Sequence, residues 1–369
     1  QGAWFRDGLT ELPGAEHGPL TSLYLTPWSL VGDDIVAWQR FAMTLIGIAT
    51  VAVVGLVGCR LAGPRAGLVA AAIAAVYPNL WINDSLVMSE SLACLIVAVA
   101  LLVALGFDRE PGLGRAAALG VVVGLGALTR SEIALYAAGF AVLAWWRGAG
   151  HRRRALLPVI VLSAAVLTVM PWAVYNVARF DRPVLLSTND GGTLIGSNCD
   201  STYYGDVGGW DIGCLTPVAV DGAEPVDASV RSIAWRDSAI DYVRNHTSRV
   251  PIVVAARLGR IVDLYGLGSL VRLDRGEEKA HWAVWAGIGA WWALAVTAAV
   301  GWVALGRPGD GSPERSQARW WLAVPVAAVL VTTIVFYGSH RIRAPAEPVV
   351  VVLAAVGAVA LWSRRPARS

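Results

Sequence analysis

Residues 322–362 decide the fold. They read LAVPVAAVLVTTIVF, then YGSHRIRAPAEP, then VVVVLAAVGAVALW, so that a short polar turn at 337–348 separates two long apolar runs. The turn contains two arginines, a histidine, a glutamate and two prolines. With their flanking residues, both runs approach the length of helix that crosses a hydrocarbon layer of about 30 Å. We therefore predict two membrane-spanning helices joined by a charged turn.

The composition extends this prediction to the whole chain. Of its 369 residues, 56% are hydrophobic and 15% are charged, whereas soluble domains carry about 25% charged residues. The alternative is a large soluble helical protein, but its core helices would keep a polar face. We predict an all-α polytopic membrane protein.

Nine apolar segments are predicted to span the membrane, two of which, 66–82 and 115–129, are short enough to be tilted or partly re-entrant. The nine segments are 36–59, 66–82, 88–106, 115–129, 132–147, 155–178, 282–305, 319–337 and 346–362.

Arginines in the short connections predict the orientation. One set of connections, with the C-terminal tail, contains fourteen arginines and the opposite set contains three. Since basic residues are retained on the cytoplasmic side, the arginine-rich side and the C-terminus are predicted to be cytoplasmic. Residues 1–35, 83–88, 130–131, 179–281 and 338–345 are then extracytoplasmic.

Four regions follow from this topology. The chain begins with Gln1 in a hydrophilic stretch without a visible signal sequence, so we expect a fragment that lacks at least one upstream helix. The regions are a remnant of the first extracytoplasmic loop (1–35), six helices (36–178), a large extracytoplasmic loop (179–281), and three C-terminal helices with a cytoplasmic tail (282–369).

The large loop contains two cysteines and an apolar helical segment. Cys199 and Cys214 are predicted to form a disulfide on this oxidising side, the alternative being two free thiols. Pro251 opens an apolar helix that we expect at the membrane interface, with Arg257 and Arg260 one turn apart.

Polar clusters predicted on the outer face supply the candidate acids and bases. EHGPL contributes Glu16 and His17, although a loop histidine is as often merely solvated. YPNLWINDSLVMSES contributes Asp84 and Glu90. Placing an ionisable group at membrane depth costs free energy, so we treat such groups as functional candidates. The alternative for Glu90 is a structural role in the first turn of a helix that Ser89 caps.

Arginines in two further clusters are candidates for binding an anion. LTRSE contributes Arg130 and Glu132, which could instead pair only with each other. Arg341 and Arg343 oppose the orientation rule, and arginine binds phosphate oxygens in a bidentate manner. The alternative is snorkelling to lipid headgroups. Arg257 and Arg260 could supplement the same anion or snorkel.

Common soluble motifs are absent from the sequence. There is no P-loop, no GxGxxG at a strand–helix junction, no CxxC and no HExxH. The sequence therefore gives no support for binding of soluble nucleotides, and no nucleic-acid partner is expected.

The order of the motifs resembles a known family. EHGPL (like HPPL), RLAGPRAGLVAAAIAAVYP, MSES, GLGALTRSE, PWAVYNVARFDRPVLLSTNDGGTLIGSN and YGSHRIRAPAEP follow one another over nearly the whole chain. Each motif is loose, but their order and spacing are fairly specific. The chain resembles bacterial GT-C glycosyltransferases of the protein-mannosyltransferase and aminoarabinose-transferase superfamily, particularly actinobacterial members.

The resemblance implies a multi-pass enzyme of the bacterial cytoplasmic membrane with an extracytoplasmic active site. Such enzymes transfer a sugar from a polyprenyl-phosphate donor to a glycan, lipid or protein acceptor, often with inversion. Whether a divalent metal ion assists is left open. The family's catalytic acid follows the first span, which lies upstream here, and Asp7 is a weak substitute.

The resemblance also implies roles for the candidate residues. Glu16 and His17 would flank the active site, with Glu90 and Asp84 as second acids. The carrier phosphate and the cavity would be contacted by Arg130, Glu132, Tyr337, Arg341 and Arg343.

Two other classes of function are compatible with the sequence. A transporter or flippase for a lipid-linked saccharide would also need arginines for phosphate, but no internal repeat is evident and the polar groups gather on one face. A scaffold whose outer loop binds partners would leave the arginine turn unexplained.

Overall fold

The computed structural model describes residues 15–218, 226–307 and 313–363, except the side chains of 313–316. Within these ranges the chain forms helices and no strand. The predicted all-α class is therefore confirmed. Asp7 lies outside the described residues.

Sixteen α-helices are formed by the described residues. In chain order they are α1 (Pro19–Leu25), α2 (Ile35–Ala62), α3 (Pro64–Val76), α4 (Pro78–Trp81), α5 (Glu90–Arg109), α6 (Leu113–Ala127), α7 (Leu135–Arg147), α8 (Leu156–Arg179), α9 (Asn189–Ser197), α10 (Ala228–Asn245), α11 (Val250–Ile261), α12 (Leu267–Gly276), α13 (His281–Gly306), α14 (Pro313–Val335), α15 (His340–Arg343) and α16 (Glu347–Trp362).

Among the described residues, six helical segments are long and apolar enough to cross a membrane. They are α2, α5, α8, α13, α14 and the continuous stretch formed by α15 and α16. The remaining three predicted spans correspond to α3, α6 and α7, which have only 13, 15 and 13 residues, whereas a full crossing takes about 20. The chain is thus a multi-pass membrane protein, but the count of nine spans is not confirmed.

The helices α5 and α16 form the centre of the bundle. In each, 72% of the apolar stretch is buried inside the protein, against 22% for α8 and 28% for α13. The outer helices expose large apolar side chains such as Val166, Leu167 and Val174, as expected where lipid replaces water. Both central helices begin at the same end of the bundle, where Glu90 and the charged turn before α16 meet.

Small residues let two helices approach closely. A Cβ added to Gly120 of α6 would lie 2.3 Å from the backbone oxygen of Val161 on α8, and one added to Gly124 would lie 2.6 Å from Thr168. Only a residue without a side chain allows this contact. The GxxxG spacing of Gly120 and Gly124 therefore packs helices.

The described parts of 179–281 contain the helices α9 to α12, which lie at the same end of the bundle. Cys199 and Cys214 are joined by a disulfide. Arg257 of α11 is buried and donates to the backbone oxygens of Ser197 (2.7 Å) and Ile334 (2.8 Å). Arg260 donates to the oxygen of Gly338 (3.0 Å) and pairs with Asp206. Both arginines therefore join loops and contact neither an anion site nor lipid headgroups.

Candidate active site

A backbone contact brings the EHGPL segment to the LTRSE segment. A Cβ on Gly18 would lie 2.1 Å from the backbone oxygen of Leu128, and the amide of Leu20 donates to that oxygen at 3.1 Å. Glycine is required at position 18 because any side chain would separate the two segments. As a result, Glu16 and His17 lie at the same cavity as Arg130.

Glu90 joins two arginines that come from distant parts of the chain. Its Oε1 accepts hydrogen bonds from Nη1 of Arg130 (2.6 Å) and Nε of Arg341 (2.7 Å), and the residue is fully buried. Arg130 also donates through Nε to Glu132 (2.5 Å), so this predicted pair forms as part of a larger cluster. Ser89 makes no side-chain cap to α5; its side chain instead lines the cavity.

These groups surround a cavity of about 440 Å³. Its polar end is lined by Glu16, His17, Arg130, Glu132, Tyr337 and Arg341. We call it the Arg130–Arg341 cavity. The Nη2 atom of each arginine has no hydrogen-bond partner among the described residues, since the other two guanidinium nitrogens make the contacts to glutamates. One terminal nitrogen of each arginine is therefore available to donate to an anion.

His17 is held as a neutral imidazole at the mouth of this cavity. Its side chain is accessible, but the surrounding protein partly desolvates it, and Arg341 and Arg130 repel a further positive charge. Both effects lower the pKa of His17 below its ordinary value of 6.5. A neutral imidazole near pH 7 can accept a proton.

Glu277 and Lys279 support Arg341 and were missed by sequence reasoning. Glu277 accepts from Nη1 of Arg341 at 3.1 Å, and Lys279 contacts Glu277 at 3.0 Å and Asp274 at 2.7 Å. Lys279 is the single lysine of the chain and is buried, with 7% exposure. Being the single lysine was the one feature of the sequence that could have singled out Lys279, but no motif connects Lys279 to Arg341.

Arg343 does not reach the cavity, contrary to the predicted phosphate clamp. Residues two apart on a helix point in different directions, so Arg343 lies on another side of α15 from Arg341. It is buried, with 4% exposure, and pairs with Asp263 (2.7 Å) and Glu347 (2.7 Å) while its guanidinium lies over the ring of Trp291. Its role is to fix the start of α16.

Asp84 is also separate from the Arg130–Arg341 cavity. It lines another cavity, of about 340 Å³, and accepts a hydrogen bond from the hydroxyl of Ser91 at 2.7 Å. Since Ser91 follows Glu90 by one residue, it points about 100° away around α5. The structure therefore brings Glu90 to the predicted site but not Asp84.

Replacing Asp84 by asparagine is expected to stabilise the protein at alkaline pH. Burial raises the pKa of Asp84 from 3.8 to about 7, so the folded state keeps a proton that the unfolded state releases. Stability is then lost as the pH rises from about 4 through 7. Asp84→Asn should increase the stability at pH 8 by on the order of 2 kcal/mol, measured as a higher melting temperature, and should increase it clearly less at pH 5.

The matched control is Asp33→Asn at an exposed aspartate. It should leave the melting temperature unchanged at both pH values. A gain from Asp84→Asn that is equal at pH 5 and pH 8 would contradict a buried, protonated carboxyl.

A divalent metal ion does not fit the described residues. No group of three or more His, Cys, Asp or Glu side chains that could hold one is found among them. Glu90, which is fully buried behind the two arginines of the cavity, already accepts from both of them through one oxygen. We therefore derive no step through a metal.

Comparison with known proteins identifies the fold. No family model and no curated protein matches the chain. Solved structures of an archaeal oligosaccharyltransferase do match. The chain is similar in fold to an oligosaccharyltransferase.

The similar structures are of AglB from Archaeoglobus fulgidus. One, in complex with an inhibitory peptide and a dolichol-phosphate, matches with a TM-score of 0.56 at 15% identity over 94% of this chain and 42% of that one. The oligosaccharyltransferase in its apo form matches with a TM-score of 0.55 at 13% identity over 96% and 44%. The chain thus spans less than half the length of this oligosaccharyltransferase, and at these identities the similarity concerns the fold.

Proposed function

We propose that the chain is a membrane glycosyltransferase of the GT-C type that transfers a sugar from a polyprenyl-phosphate donor. The observation that carries the proposal is the pair of Nη2 atoms, unpaired within the described residues, of Arg130 and Arg341, which line one cavity, with Glu90 buried between the two guanidinium groups. A sugar phosphodiester carries one negative charge, and two arginine N–H donors match its two free phosphate oxygens.

The other wall of the cavity suits a lipid-linked donor. It is formed by apolar side chains of α7 and α14, and Leu135, Val331 and Val335 are each about half exposed on the outside of the bundle. A polyprenyl chain could leave the cavity between these helices while its phosphate stays at the arginines. The dolichol-phosphate complex of the similar oligosaccharyltransferase supports a donor of this kind.

The proposed reaction is a direct displacement at the anomeric carbon. An acceptor hydroxyl gives its proton to His17, and its oxygen forms the new bond to that carbon. The bond from the carbon to the phosphate oxygen breaks, and the polyprenyl phosphate departs with the electron pair. Because the leaving phosphate gains negative charge, its bonds to Arg130 and Arg341 strengthen in the transition state. Glu16, at the same mouth, would orient His17 or the acceptor.

The proposed location is the cytoplasmic membrane of a bacterium, with the cavity on its extracytoplasmic side. The support is the asymmetry of arginines between the two sets of connections. The Arg130–Arg341 cavity lies at the end of the bundle that this rule assigns to the outside.

The test uses the full chain in proteoliposomes that contain a radiolabelled polyprenyl-phosphate hexose. With a disaccharide methyl glycoside as acceptor, label should move covalently into the water-soluble glycan. The rate should rise with pH below 6.5, as His17 loses its proton, and level off near neutrality. Movement of intact donor between leaflets without transfer would instead favour the transporter.

A further inference from the structure

A second cavity adjoins the Arg130–Arg341 cavity. It has a volume of about 330 Å³, and Ser131, Ser187 and Asp190 line both cavities. Its other polar lining comes from Thr188 and from Ser229, Ser232 and Arg236 of α10. We call it the serine-lined cavity. A ligand in it would therefore lie next to whatever Arg130 and Arg341 hold.

Helix packing fixes the polar edge of the serine-lined cavity. A Cβ on Gly191 of α9 would lie 1.9 Å from the backbone oxygen of Ser232, so α9 and α10 are in direct contact. The hydroxyl of Ser232 donates to Asp190 at 2.9 Å, and Nη2 of Arg236 contacts the other oxygen of Asp190 at 2.5 Å. The side chains of Asp190 and Arg236 remain 39% exposed, so a ligand can reach them.

The lining favours a neutral polyol. Hydroxyls both donate and accept, a carboxylate accepts and a guanidinium donates, which together match neighbouring sugar hydroxyls. The opposite wall, residues 183–186 with Ile233, is largely apolar and suits the C–H face of a pyranose ring. A peptide that binds by adding a strand would find no strand edge among the described residues.

The serine-lined cavity also connects to the proposed base. The hydroxyl of Ser187 donates to the backbone oxygen of Glu16 at 2.8 Å, and the amide of Thr188 donates to that of Ala15 at 2.8 Å. The segment that lines this cavity therefore holds the loop that carries His17. A hydroxyl at the shared wall would point toward the mouth where His17 lies.

We propose that the serine-lined cavity binds the acceptor and that this acceptor is a carbohydrate, an assignment that rests on the proposed function. A hydroxyl of the acceptor sugar would give its proton to His17 and displace polyprenyl phosphate from the donor. Asp190 and Arg236 would select a neutral sugar and set which hydroxyl reaches the donor.

The test measures acceptor kinetics and sugar binding separately. With a polyprenyl-phosphate hexose as donor and disaccharide methyl glycosides as acceptors, Arg236→Gln should raise the KM for the acceptor about tenfold with a smaller change in kcat. Arg244→Ala, at an exposed arginine on the same helix, should change neither. Transfer to a serine- and threonine-containing peptide but to no glycoside would overturn the proposal.

Saturation-transfer NMR with the same glycosides needs no donor. Glycoside binding to the full chain that is weakened by Arg236→Gln and unaffected by Arg244→Ala would support a carbohydrate site in the serine-lined cavity. If such binding is seen but no transfer occurs, only the proposed glycosyltransferase activity is refuted. If no glycoside binds, or if Arg236→Gln leaves binding unchanged, the carbohydrate assignment is wrong.

Discussion

Replacing Arg341 by alanine is expected to reduce sugar transfer by about 100-fold or more. The variant removes one of the two guanidinium groups that would stabilise the departing phosphate, and loss of one such preoriented donor costs about 10²–10³ in rate. The effect should lie mainly in kcat, because the interaction strengthens as charge develops on the phosphate. The measurement is initial-rate transfer from a polyprenyl-phosphate hexose.

Two further variants separate this effect from loss of folding. Arg341→Lys keeps the charge but loses the planar fork, and we expect an intermediate rate. Arg244→Ala removes an exposed arginine that pairs only with Asp241 and should retain full activity. If Arg341→Ala folds with an unchanged melting temperature and transfers at the wild-type rate, the phosphate site is refuted.

Replacing Glu90 by glutamine is expected to slow transfer strongly and to destabilise the protein. Glu90 is the only described carboxylate that contacts both Arg130 and Arg341. Without its charge the two guanidinium groups repel each other in a buried setting, and breaking a buried ion pair typically costs 3–5 kcal/mol. The loss would appear as a lower melting temperature together with a transfer rate reduced by about 100-fold or more.

Asp108→Asn is the matched control because it lies at the other end of the same helix. Asp108 is buried, pairs with Arg147 and accepts from the indole of Trp321. This variant should lower the melting temperature while leaving the KM for the donor unchanged. Glu90→Gln, by contrast, should weaken donor binding at temperatures where the protein is folded. Equal donor affinity in both variants would show that Glu90 has only a structural role.

The fold class could be predicted because the hydrophobicity of a segment depends only on its own residues and not on what it packs against. The apolar runs around 346–362 and 88–106 correspond to the central helices α16 and α5. The number of crossings could not be obtained in this way. The runs at 66–82, 115–129 and 132–147 contain shorter helices, because turns at Pro78 and at the LTRSE segment interrupt apolar sequence that hydropathy alone treats as continuous.

The sequence predicted the clusters that contain the site residues. It could not predict which side chains reach the cavity, because that depends on the direction in which each side chain points. Glu90 and Arg130 were brought together by packing, as convergence on one face suggested. Arg343 and Asp84 were assigned to the same place because they share that face, but each points elsewhere around its own segment. Glu277 acts through a contact with Arg341 that is 64 residues distant in the chain, and such a pairing has no local signature.

The half-exposed apolar wall formed by Leu135, Val331 and Val335 has a consequence for how the donor arrives. A lipid that enters between α7 and α14 diffuses laterally within one leaflet and need not leave the bilayer. Under the proposed function, its surface density in that leaflet, rather than its amount per volume of buffer, would then govern occupancy of the cavity. Diluting the aqueous phase at a fixed ratio of protein to lipid would leave the saturation of the cavity with the proposed donor unchanged.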